Sequence, residues 1–189
     1  LTKGSADWIS WQGSRGDRRS DVTGIIRDWS GGLEKLWEVD YLCQGNSSAA
    51  WSAPVVQGNR LIVCGRTTEK DLVFCLDPTN GALLWQTSYS AETTASHGAG
   101  PRATPAIDDD RVYTFGRSGE LVCWALFDGK ELWRTNVADE GGEVPMWGHS
   151  SSPLILGDRV IVQGGGTART IAYDKLTGKV VWKGGNEIG

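Results

Sequence analysis

Both histidines of this chain, His97 and His149, fall in polar stretches that also carry Arg102, Glu143, Met146 and Trp147. These residue types have definite capabilities. A guanidinium such as Arg102 can hold a carboxylate or another anion through paired N–H donors. An indole such as Trp147 is a rigid, partly apolar anchor of the kind that dominates protein contacts. An imidazole can ligate a metal or move a proton near neutral pH. Catalysis asks for more. The two histidines stand about fifty residues apart and no carboxylate recurs at a fixed distance from them, so neither a triad nor a metal pair is defined. Two readings follow: a ligand or partner surface made of His97, Arg102, Glu143, Trp147 and His149, or loops held together by their own contacts.

Other suggestive motifs have plainer readings. Asp108-Asp109-Asp110 has the composition of a calcium site but aligns with the turns at Gln57-Gly58-Asn59 and Leu156-Gly157-Asp158, which makes it a solvated hairpin turn. Gly164-Gly165-Gly166 follows a strand yet leads into another strand, without the helix and Lys-Ser/Thr of a phosphate loop, so it reads as a hairpin loop. Arg15, Arg18 and Arg19 surround Asp17 in a polar loop. The sequon Asn46-Ser-Ser matters only in a glycosylating host. Cys43, Cys64, Cys75 and Cys123 show no C-x-x-C spacing, which argues against zinc and thioredoxin-like chemistry. Cys64 and Cys75 lie on neighbouring strands, with Cys64 opposite Leu72 or so, and are read as small core residues. No metal site is assigned.

These residues must be positioned by something, and the chain's composition points to it. The 189 residues carry a net charge of −4 with a pI near 5.2, 26 Gly and 10 Trp. No footprint for nucleic acid or anionic membrane is visible. No run reaches the eighteen or so apolar residues of a membrane span, and no signal peptide opens the chain. Abundant glycine without a collagen period indicates many tight turns.

The tryptophans set the period. Trp37, Trp85, Trp133 and Trp182 are 48, 48 and 49 residues apart, and Gly81, Gly129 and Gly178 each stand four residues before the last three. A second phrase recurs as Ser52-Ala-Pro-Val-Val, Ala103-Thr-Pro-Ala-Ile and Ser151-Ser-Pro-Leu-Ile, followed by apolar runs led by Arg60, Arg111 and Arg159. Strands are predicted near 52–57, 60–65, 71–77 and 82–88; near 103–108, 111–116, 120–126 and 130–136; and near 151–156, 159–164, 168–174 and 179–184. Four antiparallel strands every 40-odd residues is a β-propeller blade. In that scheme each indole fills the space between neighbouring blades, the glycines permit the turn between the third and fourth strands, and Asp77 and Asp174 cap that turn through their carboxylates.

The phrase Ala172-Tyr-Asp-Lys-Leu-Thr-Gly-Lys-Val-Val-Trp182 resembles the tryptophan-docking motif of the pyrroloquinoline-quinone (PQQ) type β-propellers. Cys75 to Trp85 keeps its Asp, Gly and Trp; Cys123 to Trp133 keeps its Gly, Lys and Trp. The resemblance covers about residues 33–186. The stretch Trp8-Ile-Ser-Trp11-Gln-Gly with Arg15 looks like the lead-in of secreted bacterial PQQ-like repeat proteins. The implied fold is all-β: three four-stranded antiparallel blades plus one outer strand of an eight-bladed propeller. The expected division is a lead-in over 1–32 and a partial propeller over 33–189, with the outer strand at 33–40 and blades at 51–90, 101–139 and 148–186.

Eight blades of this period need on the order of 380 residues, so remaining blades or a second chain are expected to close the ring. For function, the resemblance implies a noncatalytic ligand- or protein-binding scaffold of the bacterial cell envelope, periplasmic or secreted. The alternative is a fragment of a PQQ- and calcium-dependent quinoprotein dehydrogenase. Such enzymes hold PQQ against a disulfide of adjacent cysteines, and no Cys-Cys pair occurs here.

Overall fold

The structure, a computed structural model, describes residues 7–45, 49–91 and 100–185. Twelve strands form three four-stranded antiparallel sheets. The first contains β1 (Val55–Gln57), β2 (Arg60–Arg66), β3 (Lys70–Leu76) and β4 (Leu83–Ser90) in that order. The second contains β5 (Ala106–Asp108), β6 (Arg111–Phe115), β7 (Glu120–Ala125) and β8 (Glu131–Asn136). The third contains β9 (Leu154–Leu156), β10 (Arg159–Gln163), β11 (Thr170–Asp174) and β12 (Val180–Gly184). Contacts of β1 with β5 and of β5 with β9 bring the first strands together, so the sheets are three blades of a partial β-propeller around one axis.

The first strand of each blade is shorter than predicted. Each starts after Pro54, Pro105 or Pro153, because proline has no N–H to give to a ladder. Residues 33–40, expected as an outer strand, join no sheet among the described residues. The β2–β3 register sets Cys64 opposite Val73 and Gly65 opposite Leu72, one residue away from the expected pairing. The three-aspartate stretch is a hairpin turn, with Asp108 opposite Arg111 and Asp109 at φ 52°.

Buried side chains fill the two seams. Between blades one and two lie Val55, Ile62, Val73, Trp85, Val112, Val122 and Trp124. Between blades two and three lie Tyr113, Phe115, Leu121, Val160, Val162, Ile171 and Tyr173. On the outer side of blade one, Leu72, Phe74 and Leu76 are covered by Trp37, Val39, Tyr41 and Leu42. The outer side of blade three has no such cover among the described residues, and Leu154, Leu156 and Trp182 are exposed.

The indoles follow one geometry. Trp37 Nε1–H donates to the Pro78 carbonyl at 3.0 Å, Trp85 Nε1–H to Leu126 at 2.9 Å, and Trp133 Nε1–H to Lys175 at 3.0 Å. Each acceptor lies in the next blade. The ring then covers the glycine of that blade's last turn: a Cβ at Gly81, Gly129 or Gly178 would stand 2.6 Å from the indole. The same glycines have φ between 70° and 72°, which disfavours any side chain a second time. Asp77 and Asp174 accept from the Thr79 and Thr177 amides and hydroxyls inside these turns.

A second inter-blade link runs near the axis. The Ala53 N–H donates to Thr104 Oγ1 at 3.0 Å, and the Thr104 N–H donates to Ser152 Oγ at 3.0 Å. The hydroxyl residue just before the proline of one blade thus satisfies the backbone of the blade before it. Thr104 is almost fully buried. Thr104→Val keeps the shape but removes the acceptor, and we expect it to cost about 1–2 kcal/mol; a urea titration with an unchanged midpoint would refute the link.

Candidate functional site

The antiparallel meander puts the β4–β5 and β8–β9 connections at one end of the blades, together with the β2–β3, β6–β7 and β10–β11 hairpins. That end is the loop face, and polar side chains gather there. In blade one, Arg66 Nη1–H donates to Asp71 Oδ1 at 2.6 Å, with both side chains only 1% exposed. The Arg66 guanidinium also reaches the Thr68 and Ala91 carbonyls. Buried Tyr89 lies beside Asp71 and, like Arg66, favours its charged form. Burial pushes the Asp71 carboxyl up, although Arg66 opposes the shift.

The neighbouring blade adds Arg117 and Glu120, and the β4–β5 connection adds Arg102. Tyr89 Oη and Glu120 Oε2 both lie about the Gly116 Cα, at 3.0 and 2.9 Å from where a Cβ would stand. Burial and the nearby Arg102 and Arg66 charges lower the Arg117 pKa, partly offset by Asp71. Arg117 thus lies within electrostatic range of Arg66, Arg102 and Asp71 at the seam of blades one and two. The Arg102 guanidinium sits 5.1 Å over the ring of Trp51, which is half exposed.

The seam of blades two and three has a different character. His149 is 3% exposed, its ring 4.9 Å from that of Phe115, and its backbone N–H donates to the Arg117 carbonyl at 2.9 Å. Gly148, at φ 74°, lies so close to the Arg117 side chain that no Cβ would fit there. His149 and Trp147 line a recess of about 600 Å³ with Ser151, Gln163, Arg169 and Thr170. Trp147 is half exposed, whereas Glu143 is exposed beside the Gly164–Gly166 hairpin, its N–H donating to the Gly164 carbonyl. His97 and the Asn46 sequon lie outside the described residues.

Burial holds the His149 pKa below its ordinary value, with the Gln163 carbonyl opposing. The unfolded chain then binds a proton at a higher pH than the folded one, so acid favours unfolding. Stability contributed by His149 is present above pH 6.5, the ordinary value, and is lost as pH falls through the folded pKa. We expect the thermal midpoint to fall below pH 6.5 in the wild type and to fall less in His149→Gln; parallel profiles would refute this.

Burial pushes the Cys64 thiol up to about 12 and the Cys123 thiol up to about 11, which disfavours their thiolates. Among the described residues, no group of three or more His, Cys, Asp or Glu could hold a metal ion.

Sequence reasoning named Arg102, Trp147 and His149 but missed Arg66, Asp71, Arg117 and Glu120. A signal was present, because Gly65-Arg66 and Gly116-Arg117 end the second strand of successive repeats.

Comparison with known proteins agrees with this architecture. Residues 69–188 match the family model described as outer membrane protein assembly factor BamB. No curated protein sequence matches the chain. Among solved structures, quinohemoprotein alcohol dehydrogenase ADHIIG from Pseudomonas putida HK5 aligns at TM-score 0.66 and 21% identity, over 93% of this chain and 26% of that one. Quinohemoprotein alcohol dehydrogenase from Comamonas testosteroni aligns at TM-score 0.56 and 23% identity, over 72% and 21%. BamB from Moraxella catarrhalis aligns at TM-score 0.53 and 19% identity, over 79% and 39%. At these identities the likeness is one of fold, and the chain spans well under half the length of each structure.

Proposed function

The chain belongs to the BamB-type family of PQQ-like repeat β-propellers, and from that premise we propose that it is a noncatalytic binding and scaffolding segment of the bacterial cell envelope. The observation that carries the reading is the convergence of Arg66, Arg102 and Arg117 on the loop face beside the half-exposed Trp51. Guanidinium groups next to an indole suit a carboxylate-bearing partner, with the cation orienting the acid and the ring supplying apolar area. Arg66 is held by Asp71, and Arg102 and Arg117 stand at the same seam, each half-buried.

The unclosed sheets support a need for further blades or another chain, because the outer side of blade three exposes Leu154, Leu156 and Trp182. The family's description as an outer membrane assembly factor supports an envelope location; no helix among the described residues is long and apolar enough to cross a membrane.

The test uses a hexaglutamate peptide as probe, titrated against the full chain. Saturable binding is expected, weakened at least about tenfold by the pair Arg102→Ala and Arg117→Ala, or about 1.4 kcal/mol. Equal binding by the variant would sink the arginine surface.

A second reading, a fragment of a PQQ- and calcium-dependent dehydrogenase, is favoured by the fold likeness to two quinohemoprotein alcohol dehydrogenases. The arginines could accept carboxylates of such a cofactor, but the described residues offer no cluster to hold calcium. Dye reduction with an alcohol or sugar after adding PQQ and Ca²⁺ to the full-length protein would favour this second reading.

A further inference from the structure

The backbone register at the axis repeats three times. Val56, Ile107 and Ile155 each stand two residues after the proline that precedes the first strand of their blade. Each faces the residue after the blade's leading arginine: Val56 opposite Leu61, Ile107 opposite Val112, and Ile155 opposite Val160. In an antiparallel pair, N–H and C=O groups alternate between the neighbouring strand and the free edge. At this register they point to the free edge, toward the axis.

The first two blades show what such an edge accepts. The Val56 N–H donates to the Trp8 carbonyl at 2.9 Å, and the Trp8 N–H donates to the Val56 carbonyl at 2.8 Å. One residue on, the Ile107 N–H donates to the Ile9 carbonyl at 2.8 Å. Residues 8 and 9 thus lie along the axis as an added strand.

The third blade is not served by this segment. The chain turns away at Ser10, whose carbonyl accepts from the Gly13 N–H at 3.0 Å and whose hydroxyl donates to the Gly13 carbonyl at 2.8 Å. Ile155 then borders a cavity of about 800 Å³ between β9 and the N-terminal segment, walled by Ile9, Trp11, Ile107 and Pro153 among others. No described residue gives its amide a backbone partner. An edge amide and carbonyl beside an apolar cavity form the arrangement in which extended peptides add to a sheet.

We propose that the inner edge of β9 is a docking groove for an extended, apolar-rich segment of a partner protein, which pairs with the Ile155 N–H and C=O as residues 8 and 9 pair with β1 and β5. The partner's alternate side chains lie in the cavity against Trp11 and Ile9. The groove uses none of the loop-face arginines, so it and the acidic-partner reading succeed or fail separately.

The probe is a synthetic peptide with the sequence of residues 7–13, Asp-Trp-Ile-Ser-Trp-Gln-Gly, capped at both ends and added to the full chain. Expected are saturable binding below about 1 mM and at least tenfold slower hydrogen exchange at the Ile155 amide. Ile155→Pro, which removes the free-edge N–H without touching the β9–β10 ladder, should weaken binding at least tenfold, while Ile155→Val should leave it unchanged. A backbone N-methylated peptide provides the same contrast on the unmutated protein and should not bind. Absence of binding, unchanged exchange at Ile155, or equal binding of the N-methylated peptide overturns the proposal. So does protection of Ile155 that rises with protein concentration alone, because the occupant is then a second copy of this chain.

Discussion

Replacing Trp85 with alanine is expected to lower the unfolding free energy by about 3–5 kcal/mol. The ring is 8% exposed in the seam between blades one and two, among Val55, Ile62, Val112 and Trp124. Truncation removes the apolar area of an indole and opens a hole that the surrounding strands cannot close. It also removes the donor to the Leu126 carbonyl and uncovers Gly129, whose backbone is shaped to lie under that ring. Trp182 supplies the internal control. It has the same place in its repeat but is 45% exposed, with no neighbouring blade over it, so Trp182→Ala should cost less than about 1 kcal/mol. Trp133, partly buried and bonded to Lys175, should fall between the two. Equal costs for Trp85 and Trp182 in guanidinium titrations would show that the indoles act within their own blades and not across the seams.

The second large effect is expected at Arg66. Replacing it with methionine leaves the Asp71 carboxylate buried without its cation, which should cost about 3–5 kcal/mol. The double replacement Arg66→Met with Asp71→Leu should recover most of that loss, since no buried charge then remains. The comparison separates two roles for the pair. If the double variant matches the wild type in stability but loses the hexaglutamate peptide, the ion pair serves recognition by fixing the neighbouring arginines. If the single variant is as stable as the wild type, Asp71 is not confined as the geometry indicates. Because burial raises the Asp71 pKa, the single variant should regain stability on acidification, as the stranded carboxylate takes up a proton in the folded state before the unfolded chain does. Titrations at pH 7 and pH 4 check that sign.

Much of the architecture can be read from residue spacing, for physical reasons. A side chain as large as tryptophan fits between sheets only where a glycine faces it, so Trp and Gly recur in step. Two-residue hairpins at Gly58, Asp109 and Gly157 need positive φ, which leaves a Gly or Asp mark. The first strand of each blade is overestimated because the recurring phrase begins two residues before the proline, whereas pairing begins after it. The Cys64 register is missed by one because the residues of the β2–β3 turn, from Thr67 to Glu69, are polar and do not mark where the ladder ends.

The candidate site is less legible. Long loops draw attention to Arg102, Trp147 and His149, but Arg66 and Arg117 sit at hairpin ends and meet only when two blades stack. Asp71, which holds Arg66, and Glu120 occupy different positions in their own repeats, so no spacing links them. His149 reads as a surface ligand in the sequence, yet Phe115 and the following loop bury it.

The indole-to-carbonyl bonds join residues 41 or 42 positions apart, always from an earlier segment to a later blade. During synthesis each blade therefore emerges with its tryptophan unsatisfied and must wait for the next to leave the ribosome, roughly 2–8 s at about 5–20 residues per second. A nascent chain of this kind carries one sticky end that moves forward with translation, a moving target for holding chaperones. Slow codons placed before a blade's last turn would lengthen that exposure for the preceding tryptophan, whereas pauses after the turn would find it already covered.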